Sequence, residues 1–150
     1  MSHQMTDPFY WEQEAWVFLG AEDVYALFDP ERYGLQPTAP CTACWKGFIV
    51  QFSIQEGQLF LDRVAAHCEN GVYPPINGVT PVADGMFHEY RDIRLPLAYS
   101  GTIVVGRHLD PMYSYSAFTG PYAYETTYEL TIRDGKLVGS RNTSGTYSRF

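Results

Sequence analysis

The sequence predicts a mainly β domain, an antiparallel sandwich or barrel of about seven to eight short strands with a short N-terminal helical segment. Three observations carry that prediction. Aromatic residues reach 16%, with 12 Tyr, 9 Phe and 3 Trp, and such side chains suit half-buried sheet faces. Turn signals recur along the chain between short apolar runs. Two stretches also share one hairpin pattern: Ile54-Gln55-Glu56-Gly57-Gln58-Leu59 and Ile132-Arg133-Asp134-Gly135-Lys136-Leu137.

The first apolar run, residues 14–19 (EAWVFL), is compatible with a strand or the end of an amphipathic helix, because short runs satisfy both periods. Asp29-Pro30-Glu31 reads as a helix start, an Asp cap followed by Pro at the first position. Gly34 limits that helix to about one turn. Residues 35–44 contain Pro37 and Pro40 and read as an extended connection.

The clearest unit follows. Residues 45–54 (WKGFIVQFSI) and 59–64 (LFLDRV) are strand-like runs around a Gly-containing turn, which makes a β-hairpin. Its near-copy pairs residues 128–132 with 137–138, offset by 78 positions. Between the hairpins, Asn77-Gly78 signals a tight turn, 83–86 reads as loop, and 102–105 reads as a buried strand. The Ser-, Thr- and Asn-rich segment 142–150 reads as a loosely ordered tail of a single domain spanning 1–150.

Charge excludes some functions. The net charge of −7 resides in residues 1–31, where Asp7, Glu12, Glu14, Glu22, Asp23, Asp29 and Glu31 face no Lys or Arg. A phosphate-binding surface needs clustered bases, so neither nucleic acid nor anionic membrane is an expected partner. No apolar run is long enough to span a bilayer, and no basic, apolar leader opens the chain, so a cytoplasmic protein is expected. The acidic segment is expected either to dock a basic protein partner or to serve as a solvated surface.

Two constellations have chemistry attached. Cys41, Cys44 and Cys68 form a CxxC pair and a distant third thiol. With the turn centred on Glu56-Gly57, cross-strand partners sum to 112 or 113, which brings Cys44 opposite position 68 or 69. Three thiolates and one imidazole, from His67 or His88, would suit a structural zinc site, although plain buried thiols satisfy the same sequence. His67 and Cys68 are adjacent and would face opposite sides of a regular strand, which weakens the site. The segment 88–92 (HEYRD) lacks the second His of a zinc-protease helix.

The second constellation is aromatic. Tyr113, Tyr115, Phe118, Tyr122, Tyr124 and Tyr128 lie within sixteen residues. Extended-chain alternation puts Tyr113 with Tyr115, and Tyr122 with Tyr124, on a common face, which suits a partner, a sugar ring or a planar ligand. No nucleotide-binding glycine motif or nucleophile elbow is present. The expected function is therefore a non-catalytic interaction domain. It would engage a protein through its acidic segment and the face of Tyr113, Tyr115, Tyr122 and Tyr124. The alternative is a small-molecule or carbohydrate binder, or an enzyme, with an aromatic-lined pocket in a β-barrel.

Overall fold

A computed structural model describes residues 3–116 and 119–148. Among the described residues ten strands form one sheet: β1 (Asp7–Trp11), β2 (Glu14–Ala21), β3 (Phe48–Gln55), β4 (Gln58–Ala66), β5 (Val82–Asp84), β6 (Phe87–Tyr90), β7 (Leu95–Pro96), β8 (Gly101–Leu109), β9 (Tyr124–Arg133) and β10 (Lys136–Asn142). The main path runs β10-β9-β8-β2-β1-β3-β4-β6-β5, with β7 beside β4. One further pairing, Lys136 with Gln58, joins β10 to β4 and turns seven of the strands into a ring. The mainly β class is as predicted. The strand count is higher because β5, β6 and β7, of three, four and two residues, are too short to show a period in sequence.

Both anticipated hairpins form. Glu56 and Gly57 take φ of 51° and 79°, and Asp134 and Gly135 take 47° and 79°, the left-handed pair that a two-residue hairpin turn requires. The β3–β4 register sums to 113 from Gln55–Gln58 to Phe52–Leu61, then shifts to 114 from Gln51–Arg63 onward. Asp62 is the extra residue, so Leu59 and Leu61 face inward before it and Val64 and Ala66 after it.

The sheet departs from simple meanders at β1. This strand pairs antiparallel with β2 but parallel with β3, through Phe9–Phe52 and Tyr10–Ser53. Pro8 lies outside that short parallel ladder, so its missing N–H costs no bond to β3. The inward residues Phe9, Phe52, Leu59, Leu61, Ile103, Val105, Leu130 and Ile132 fill the middle of the ring and are almost fully excluded from solvent. At one end Trp11, Trp16 and Tyr128 pack with centroids 5.2–5.5 Å apart. The Arg107 guanidinium lies 4.4 Å over Trp16 and pairs with Glu14.

The connection from β2 to β3 crosses the other end. Asp23 caps the short helix α1 (Val24–Leu27) by accepting from the Ala26 N–H at 3.1 Å. Asp29 caps a single 3-10 turn, Pro30–Tyr33, and Gly34 ends it at φ 75°. This is the helical segment that the Asp-Pro-Glu signature predicts. After β10, where composition predicts a loose tail, Thr143 is buried and its hydroxyl lies 2.8 Å from that of Thr127. Its N–H donates to the Thr127 carbonyl at 2.9 Å. Among the described residues no helix is long and apolar enough to cross a membrane.

Candidate functional site

A concavity of about 830 Å³ lies where the β2–β3 connection spans the ring. Its wall comes from the inward face of three strands: Asp7 of β1, Phe18 of β2, and Phe48, Val50 and Phe52 of β3. Strand alternation puts Phe48, Val50 and Phe52 on this one face, and the pairings Asp7–Phe18 and Phe9–Phe52 align the neighbouring strands with them. The opposite wall is Leu27, Phe28 and Leu35, held inward by the two Asp-capped turns. Phe28 is clamped between Tyr33, stacked at 5.4 Å, and Phe48 at 5.3 Å. Phe18 and Phe52 meet at 5.6 Å. Val24 and Tyr25 form an exposed rim, Tyr25 with 71% of its surface in solvent.

Four charged side chains line this cavity. Asp7 is held on both oxygens: one accepts the Val50 N–H at 2.9 Å and the other pairs with Lys46. The Lys46 ammonium also sits 4.6 Å over the Phe48 ring. Asp29 spends its carboxylate on the Glu31 N–H at 3.1 Å. Neither Asp29 nor Glu31 has an ion-pair partner among the described residues.

A second concavity of about 690 Å³ lies beside the β1–β2 and β3–β4 turns, where Tyr10, Gln51, Ser53, Gln55 and Asp62 contribute to its lining. Burial pushes the Asp62 carboxyl up, partly offset by its hydrogen bond with Ser53 and by Arg94.

The tyrosines of the expected face separate. Tyr113 ends a 3-10 turn, Pro111–Tyr113, and meets Tyr122 edge-on at 5.4 Å. Tyr115 is 92% exposed, whereas Tyr124 opens β9 and is buried. Burial raises the Tyr124 hydroxyl, eased by a hydrogen bond with Thr119. Tyr128 joins the tryptophan cluster, and Phe118 lies outside the described residues. Asp110-Pro111 explains the break in alternation, since the Asp side chain accepts from Met112 and starts a turn instead of a strand.

The cysteines are divided in the same way. Cys41 and Cys44 share a turn, with the Cys44 N–H donating to the Cys41 carbonyl. Cys68 is buried beside Tyr73, whose hydroxyl accepts from the Cys68 N–H at 2.8 Å. Burial raises both the Cys44 and Cys68 thiols. His67 donates to the Met86 carbonyl at 3.0 Å, and His88 stacks on Tyr73 at 3.9 Å. Among the described residues no group of three or more His, Cys, Asp or Glu is placed to hold a metal ion. The segment 88–92 contributes to strand β6, not to a helix.

The acidic segment is largely occupied in local structure. Asp7 pairs with Lys46, Glu14 pairs with Arg107, Glu22 accepts from Thr102, and Asp23 and Asp29 cap turns. Sequence reasoning missed the cavity because its walls combine β1, β2 and β3 with a connection that carries little periodicity. The alternation Phe48, Val50, Phe52 was its one visible trace. Comparison of the chain with protein families, curated proteins and solved structures returned no match.

Proposed function

We propose that the protein is a small-molecule binder whose ligand enters the mouth of the ring between β1–β2–β3 and the α1 connection. The supporting observation is the cavity itself. It has about 830 Å³ of space, walls of Phe18, Leu27, Phe28, Phe48, Val50 and Phe52, and a few polar groups at one side. Ligand sites typically occupy about 300–1,000 Å³ with mostly apolar linings and a few polar groups, which fits this composition. The remainder of the ring is filled by side chains, so the mouth is where a guest gains apolar contact without displacing the core.

A neutral solvatochromic dye such as Nile red tests this reading. Saturable binding is expected, weakened severalfold by Val24→Asp at the exposed rim and unchanged by Tyr115→Ala, a residue that does not line the cavity. Dye binding that ignores Val24→Asp would count against the cavity.

A second reading, docking of a protein partner through the acidic segment and the tyrosine loop, draws on one observation. Tyr115 and Met112, exposed at 92% and 72%, stand in the same β8–β9 connection. Exposed aromatic and Met side chains are enriched at interfaces. A Met112→Ala/Tyr115→Ala variant that keeps a native-lysate partner would exclude that loop as the contact.

A further inference from the structure

Resting on the cavity reading above, we infer that the mouth selects an apolar ligand carrying a positive charge, such as an alkyl or aryl amine, and discriminates against carboxylates. Charge balance at the site is the first ground. Asp7, Asp29 and Glu31 face Lys46, three acids against one base. Lys46 is committed to Asp7, so the uncompensated charges are the carboxylates of Asp29 and Glu31 on the wall opposite. Arg32, the nearest further base in sequence, does not line this cavity and makes no ion pair with Asp29 or Glu31 among the described residues, although it shares a neighbouring concavity with Asp29.

The aromatic wall is the second ground. Phe18, Phe28, Phe48 and Tyr25 present ring faces or edges to the cavity, and aromatic faces attract cations through their quadrupoles. The protein already uses this chemistry there, with the Lys46 ammonium over Phe48. An anionic head would have to share the Lys46 ammonium with Asp7 and lie against the unpaired carboxylates of Asp29 and Glu31. An ammonium head leaves that pair intact and takes Asp29 and Glu31 as partners. The apolar tail then lies against the lining side chains that keep accessible surface, Val24, Tyr25, Phe18 and Phe48, and removes that surface from water.

Calorimetry with three ten-carbon ligands, decylamine, decanol and decanoate, below their aggregation concentrations at neutral pH, tests the inference. Decylamine is expected to bind about tenfold or more tightly than decanoate, since partly exposed charge pairs contribute modestly and several act together. The preference should shrink as salt is raised. The double variant Asp29→Asn/Glu31→Gln is expected to erase most of it while leaving decanol affinity unchanged, because Asn caps a turn as Asp does. Decanol binding with decanoate equal to or tighter than decylamine would overturn the charge inference and leave the cavity reading standing. Failure of all three ligands would overturn both.

Discussion

Two turns with the same sequence pattern and backbone meet different neighbours. Gly57 and Gly135 both sit at φ 79° after an acidic residue, yet a Cβ on Gly57 would touch nothing, whereas one on Gly135 would collide with the Leu97 carbonyl. They also meet each other. The Leu59 N–H donates to the Gly135 carbonyl and the Leu137 N–H to the Gly57 carbonyl, each at 2.8 Å, a reciprocal pair that seals the ring. Gly135 additionally donates to the Tyr99 carbonyl at 2.8 Å. The lesson is that a left-handed φ explains a glycine at both positions, but only packing makes one of them irreplaceable.

The largest effect that sharpens the contrast is Gly135→Ala. Its left-handed strain and a backbone collision together are expected to cost about 3 kcal/mol or more, measured by chemical denaturation. Gly57→Ala, with the strain alone, should cost about 1 kcal/mol. Equal losses would show that the two turns are energetically alike and that Leu97 yields freely.

The flanking leucines extend the contrast. Leu59 is fully buried and Leu137 only partly so. Leu59→Ala should cost about 2–5 kcal/mol and Leu137→Ala clearly less, so a reversed order in the same denaturation series would break the comparison.

A pH effect of intermediate size belongs to the first hairpin's side of the molecule. Burial pushes the Tyr90 hydroxyl up to about 12, with Cys68 and Tyr73 nearby adding to the shift. Burial also raises the Cys44 and Cys68 thiols above their ordinary value of 9.0. Each is an acid that the fold keeps neutral. The stability this gives is full below the unfolded value and is lost as pH climbs through the folded one. Melting temperature should therefore fall from about pH 9 toward 12, with Tyr90→Phe flattening the upper part of that fall. A pH-independent melting temperature across this range would contradict it.

The smallest effect is chemical. Cys41, partly exposed, should react with a thiol reagent in the folded protein, while Cys44 and Cys68 react only on unfolding. One tightly held zinc per purified chain, with all three thiols protected, would instead show that Cys68 joins the CxxC pair.

The sequence made the hairpins and the short helical turn legible because local rules decide them: a Gly in a two-residue turn with β-branched and aromatic flanks for the hairpins, and an Asp cap before Pro for the helical turn. The register was readable to the Asp62 bulge and no further, since one extra residue leaves no sign in composition. The ladder ends at Phe48–Ala66, so Cys44 and Cys68 both lie beyond it and the register does not pair them. The tyrosine alternation assumed an extended chain, which the cap from Asp110 prevents. The cavity was not legible because Asp7, Phe18, Leu27 and Phe48 are brought together by the parallel β1–β3 pairing, a long-range choice that no local pattern encodes.

The seal between Gln58 and Lys136 also sets an order of events during synthesis. Strand β4 emerges early and is covered along most of its length by β6 and β7, yet its first residue, Gln58, waits for a partner 78 positions later to complete the ring. Pairings so distant in sequence form slowly, because loop closure must precede the contacts that reward it. A chain that has made β9 but not β10 leaves the β9 edge open to pairing with a neighbour. Ribosome-bound chains stopped before Lys136 are thus the form most in need of a chaperone.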